Sequence, residues 1–212
     1  EHLIAIQACR VVGIPCRNPS PASHLADLFG TSRTRSGERS GQKCRDVVCE
    51  DGRVSESVVT AVRAHLIEQI GGAEPSSASV TFLGLEPVDV LLFREDPVRY
   101  VSLGCSRHPM GDPSDMIADP NRGPRAELVL TLRGGTGIAS GVHRSIAVLA
   151  AAPAVEGVVL VPDALLDLGE PLWKDAPFTA VLLGRSDIDD LVLPEPNDPV
   201  QFLEVVPVTG TE

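Results

Sequence analysis

The sequence predicts an α/β protein built on a mixed, partly antiparallel sheet flanked by helices. Three observations carry this. Apolar runs of strand length recur between residues 88 and 206. Two stretches, near 55–70 and 142–152, show the three-to-four-residue apolar spacing of helices. The intervals between runs are too irregular for repeated βαβ units, and the chain has no internal repeat, so a mixed sheet is favoured over a doubly wound one.

The first helix is expected over Ser55–Ile70. Val58, Val62, Leu66 and Ile70 recur every four residues, and Gly71-Gly72 supplies a C-terminal stop. His65 lies one position off that stripe and reads as a packed or rim histidine. Val88–Phe93 and Tyr100–Leu103 are strands, with Arg94-Glu-Asp-Pro-Val98 as a hairpin-like connection. Leu128–Leu132 is a third strand. Val142, Ile146 and Leu149-Ala150 place a helix over Val142–Ala152, stopped by Pro153. Val158–Val161, Phe178–Leu183 and Gln201–Val206 complete the set of strands. Aromatic residues are only 3% of the chain, so Val, Leu, Ile and Ala must fill the core.

Residues 1–53 differ in composition from the rest of the chain. Asn18-Pro-Ser-Pro-Ala-Ser23 is turn-rich, and Thr31–Lys43 is polar with no apolar period to bury. They are read as a flexible or non-native N-terminal extension, and residues 54–212 as the domain. Within residues 1–50, seven basic side chains face five acidic ones, yet the whole chain carries a net charge of −11. The body is therefore strongly acidic. Such a body repels phosphate backbones, which argues against nucleic acid as a partner and favours a protein with a basic surface. No apolar run reaches the roughly 18 residues of a membrane span, so no membrane partner is expected. Five cysteines, four of them at or before Cys49, form no regular framework. They read as reduced thiols of a cytoplasmic protein, with neither metal nor cofactor expected.

Two separated segments carry the strongest signal. Arg99-Tyr-Val-Ser-Leu-Gly-Cys-Ser-Arg-His-Pro-Met110 is followed by Arg125-Ala-Glu-Leu-Val-Leu-Thr-Leu-Arg133, and the chain closes on Val200-Gln-Phe-Leu-Glu-Val-Val-Pro-Val-Thr-Gly-Thr-Glu212. Together they resemble the suppressor of fused-like family, bacterial type. Its pattern is a strand ending in Ser-x-Gly-x-Ser, a Glu-Leu-initiated strand, and a closing Phe-Leu-x-hydrophobic-x-Pro-hydrophobic-Thr-x-x-Glu strand. Val161-Pro-Asp163 and Leu168-Gly-Glu-Pro-Leu172 stand in family order between them, and the resemblance covers residues 54–212. It implies a suppressor of fused-like sandwich that binds other proteins. Bacterial relatives are proposed as immunity proteins that neutralise toxins, and animal ones hold a transcription factor. The animal protein adds a second domain that this chain lacks, so no partner-contacting residue is carried over. An excess of Arg over Lys, with much Ala, Gly and Val, fits a high-GC bacterial gene.

Taken residue by residue, the motif looks like scaffold. Gly104 permits a turn, Ser102 and Ser106 are placed to bond turn amides, and Pro207 suits an edge or strand end. The competing reading is a hydrolase-like enzyme using the loop from Cys105 to Asp119, where a thiol, a hydroxyl and His108 lie within five positions. It lacks the second glycine of a nucleophile elbow, and Cys–His catalysis is usually assembled from distant sequence. Gly134–Gly141 stands between a strand and a helix but has no P-loop lysine, so a flexible connection is preferred to a phosphate cradle. Acidic residues at 112–119 and 187–198 lack calcium-loop spacing and suit a basic partner. Trp173 is the only tryptophan, by default packed and, if exposed, an anchor. The expected partner-binding residues are Arg107, His108, Asp112, Asp115, Trp173, Asp187, Asp189 and Asp190, and the partner is a toxin or regulator. No catalytic residue is assigned.

Overall fold

In the computed structural model, residues 47–111, 119, 121–133 and 141–209 are described, with side chains from residue 57 onward. The order is α1 (Val47–Ile70), β1 (Ser76–Val80), β2 (Val88–Phe93), β3 (Val98–Leu103), a 3-10 turn at Cys105–Arg107, β4 (Arg125–Leu132), α2 (Val142–Glu156), β5 (Leu165–Asp167), β6 (Phe178–Arg185) and β7 (Val200–Thr209). One seven-stranded sheet runs β1-β2-β3-β4-β7-β6-β5. Every neighbouring pair is antiparallel except β4–β7, which is parallel. The expected α/β class with a mixed sheet and flanking helices is therefore observed.

The parallel pair joins two antiparallel meanders, β1–β4 and β5–β7, and needs the long crossover that carries α2. Successive side chains of a strand point to opposite faces. In β2, Val90 and Leu92 join the core around α2, while Leu91 and Phe93 join a second core against α1. Burial on both faces is why Val90–Phe93 is a continuous apolar run and not an alternation. α1 sends Val58, Val62 and Leu66 onto β2, β3, β4 and the start of β7. α2 packs Val142, Ile146 and Leu149 onto the opposite face.

Four expectations need correction. α1 starts at Val47, eight residues before Ser55, so residues 47–53 are helical; nothing in this stretch breaks a helix strongly, although its apolar period begins only at Val58. α2 runs through Pro153 to Glu156. Its stop is Gly157, whose left-handed backbone (φ 68°) lets its N–H reach the Pro153 carbonyl. Val158–Val161 is not a strand. Leu160 N–H donates to Met110 Sδ, and the chain joins the sheet only when Asp163 N–H donates to the Leu183 carbonyl, leading into β5. β1 was not anticipated: Ser-Ser-Ala-Ser-Val has no apolar alternation, because this edge strand buries little.

Candidate functional site

The turn after β3 is held from below by two residues of β4. The β3–β4 ladder ends at Val101–Val129, and the next amide, Leu128 N–H, donates to Ser102 Oγ at 2.8 Å. Glu127 is fully buried. Its carboxyl accepts from Ser102 Oγ, from Gly104 N–H at 2.8 Å, from Ser106 N–H at 3.0 Å and from Ser106 Oγ at 2.6 Å. Thus the serines bond chiefly to a carboxyl more than twenty residues away, and it is Glu127 that caps the turn amides. Gly104 has φ +126°, a conformation side chains rarely adopt.

Arg125 is also buried. Its guanidinium donates to the carbonyls of Ser106 (2.8 Å), Arg107 (2.9 Å) and Asn121, and to Asn197 Oδ1 at 3.1 Å. Burial lowers its pKa, and the Asp198 carboxylate opposes that shift. Asp198 accepts from Gly123 N–H at 2.7 Å. Two side chains on one strand thereby fasten the 104–107 turn and the 121–123 and 197–198 segments together.

Above this clamp lies a cleft of about 320 Å³, lined in part by Glu86, Cys105, Arg107, His108, Met110 and Ala151. At its rim Glu86 Oε2 pairs with His108 Nε2 at 3.0 Å and with Arg107 Nη1 at 3.2 Å. Burial opposes ionisation of Glu86, but the His108 hydrogen bond and the Arg107 charge outweigh it and leave the carboxyl below its ordinary value. Cys105 is half-buried. Burial, reinforced by the Glu127 charge, pushes its thiol well up. His108 is engaged with Glu86, and no hydrogen bond joins it to Cys105 among the described residues. A thiol kept protonated, without a base, is a poor nucleophile.

The expected partner-binding residues divide into separate places. Arg107 and His108 sit on the cleft rim. Asp187, Asp189 and Asp190 are exposed beyond β6. There Arg99 pairs with Asp187 at 2.7 Å, and His65 bonds to the Asp189 carbonyl at 2.7 Å while stacking on Phe202. Trp173 is half-buried and packs on Phe178 at the margin of the main core. Asp112, Asp115, residues 134–140, Cys9, Cys16 and Cys44 and the side chain of Cys49 lie outside the described residues, as does the extension before Val47. Among the described residues no group of His, Cys, Asp and Glu side chains is arranged to hold a metal. No described helix is long and apolar enough to cross a membrane. Sequence reasoning missed Glu127 and Arg125 as the clamp. Their signal was a pair of charges two residues apart in an otherwise apolar strand.

The family model of suppressor of fused protein (SUFU) matches residues 84–212, more than half of the chain. The chain belongs to the suppressor of fused family. That span holds the clamp whole, from the Ser102-x-Gly104-x-Ser106 turn to Glu127 and the closing strand. Members of this family are regulatory, protein-interacting domains. Among solved structures, the chain is similar to the SUFU homologue from Neisseria gonorrhoeae FA 1090, with a TM-score of 0.52 and 16% identity, covering 74% of this chain and 80% of that one. At that identity the likeness speaks for the fold. No curated protein matches in sequence.

Proposed function

We propose that this protein is a non-catalytic binding domain that holds a partner protein stoichiometrically, as a bacterial immunity-type or regulatory factor in the cytoplasm. The observation that carries this reading is the fate of the family motif. Ser102 and Ser106 are turned inward onto Glu127, and Cys105, between them, is held as a thiol with no base bonded to it among the described residues. The residues that a hydrolase would need are spent on shaping a surface. The net charge of −11, with Asp187, Asp189 and Asp190 exposed together, suits a partner with a basic surface such as a toxin or regulator. In this reading residues 54–212 form the binding unit, and the segment before them is an extension.

The test is affinity capture with the full chain from its own cell lysate, co-expressing neighbouring gene products and varying salt. The expected result is one partner at a fixed stoichiometry, released as salt rises. Failure to retain any partner at any salt, or a hydrolytic activity abolished by Cys105→Ala, would overturn the reading.

A further inference from the structure

The two edges of the sheet, β1 and β5, are built differently. β5 is three residues long and closes on Asp167, whose carboxylate accepts from Gly169 N–H at 2.9 Å. Short length and a charged side chain are two of the means by which an edge avoids pairing with another chain. β1 carries no such device. Its five residues pair with β2 from Ser76–Leu92 to Val80–Val88 without a register shift, so no bulge turns the strand away. It contains no Lys, Pro or acidic residue. Among the described residues β2 is its only neighbouring strand, and alternate residues of an edge strand turn their N–H and C=O groups outward. Ser76, Ser77 and Ser79 are exposed, and Ala78 and Val80 half-buried, so small side chains border that open edge.

Charge narrows the choice of occupant. The chain carries −11, so two copies repel each other over much of their surface. From Pro75 to Leu85, however, no side chain is charged. On and just after β2 the two signs offset: Asp89 stands across from Ser79 in the ladder, and Arg94 donates to Ser76 Oγ at 3.4 Å. The same stretch carries Leu83, the most exposed large apolar side chain among the described residues. A basic partner gains nothing from an edge without net charge, whereas a second copy meets little repulsion there. An antiparallel pair of identical strands is also self-complementary. About a two-fold axis, each group that β1 offers is answered by the same strand of its copy.

We propose that this protein forms a two-fold homodimer in which β1 pairs antiparallel with β1 of a second copy, centred on Ala78, so that one sheet runs through both molecules. Ala78 is the middle residue of the strand, and this register leaves none of the five unpaired. It sets Ser77 against Ser79 of the second copy, and Ser76 against its Val80. Ser77 and Ser79 lie on the α1 face, since Ser77 stands beside Leu91 of the second core. Ala78 and Val80 lie on the α2 face, where Val80 already packs on the main core. The proposal goes beyond the binding reading above and does not depend on it.

The experiment follows the full chain by sedimentation velocity over a range of concentrations, with amide hydrogen exchange to locate the contact. The parent is expected to sediment as a dimer that dissociates on dilution, its β1 amides losing protection as it does so. Ser77→Lys together with Ser79→Lys, both at exposed positions, sets like charges against each other in both cross-copy pairs and is expected to weaken the dimer about tenfold or more. Ser77→Lys together with Ser79→Glu sets opposite charges against each other and is expected to bring the dimer back. Because the same two positions are altered, that recovery separates the contact from any effect of the substitutions on the strand itself. A parent that is monomeric at every concentration, a dimer indifferent to the lysine pair, or a dimer weakened equally by both variants overturns the proposal. Protection of the β1 amides in the monomer also overturns it, since the edge is then covered from within the chain. Protection gained only with a captured partner does so too, because the occupant is then that partner. The capture experiment reads whether a partner exists, so either reading can fail without the other.

Discussion

Glu127 takes four hydrogen bonds at a position that water does not reach. Removing its carboxyl leaves two hydroxyls and two amides buried without an acceptor, and each such loss costs about 1–3 kcal/mol. Glu127→Ala is expected to lower unfolding stability by about 3 kcal/mol or more, measured by urea titration. A loss under about 1 kcal/mol, the size of an ordinary surface effect, would show that the clamp does not hold the turn. Glu204 behaves in the opposite sense. Burial first, and Asp187 in part, raise its pKa against the Thr131 hydrogen bonds and Arg99. The folded state thus keeps this proton at pH values where the unfolded chain has lost it. The ionised group then costs stability at neutral pH, and the cost fades as pH falls through the raised folded value towards the ordinary carboxylate range. Glu204→Gln is expected to melt higher than the parent at neutral pH, the two converging in acid. Thermal melts across that window check this, and a lower melting temperature at neutral pH would contradict it.

At the scale of elements, apolar spacing located β2, β3, β4, β6 and β7 because each carries a run of core residues. It missed β1 and misplaced the strand after α2, since edge strands are defined by which ladder accepts them and not by their own apolar content. Pro207 illustrates the same point. β7 is an interior strand, but past Glu204 its β4 side has no ladder partner, and a residue without an N–H is tolerated there. Pro153 shows how packing overrides a local stop. Tertiary burial of Ala150, Ala151 and Ala152 carries α2 one turn past a residue that cannot donate to the preceding turn. Pro153→Ala restores that donor, so a gain of about 1–3 kcal/mol is expected. Chemical denaturation reads it out, and a loss of stability would mean that packing of the proline ring outweighs the missing donor.

For the whole molecule, the excess of acid bears on encounter more than on hold. Binding of the captured partner is expected to slow by about tenfold or more between low and high salt, with little change in dissociation. Asp187→Asn, Asp189→Asn and Asp190→Asn together are expected to reproduce part of that slowing at low salt. Stopped-flow or surface-based kinetics separate the two rates, and an association rate indifferent to salt would show that the acidic face does not steer the partner. Among the described residues, α2 covers one face of the sheet and α1 part of the other, where Leu182 and Val206 on β6 and β7 stay partly exposed.

The sequence by itself determined the class of fold, the family and the order of the central elements. Apolar periodicity and the ordered motif segments are local properties, and burial on both faces of the central strands amplifies them. It also placed Gly104 correctly, because a turn that needs positive φ selects glycine wherever it occurs. Only the tertiary structure decided what Ser102, Ser106, Glu127 and Arg125 do. Their partners lie roughly twenty to seventy residues away, and no local pattern encodes a contact across that separation. The tertiary structure likewise split the expected partner-binding residues between the cleft rim and the ridge after β6. It also showed which part of the sheet α1 covers, because that depends on where α1 packs and not on the sequence of β6 or β7.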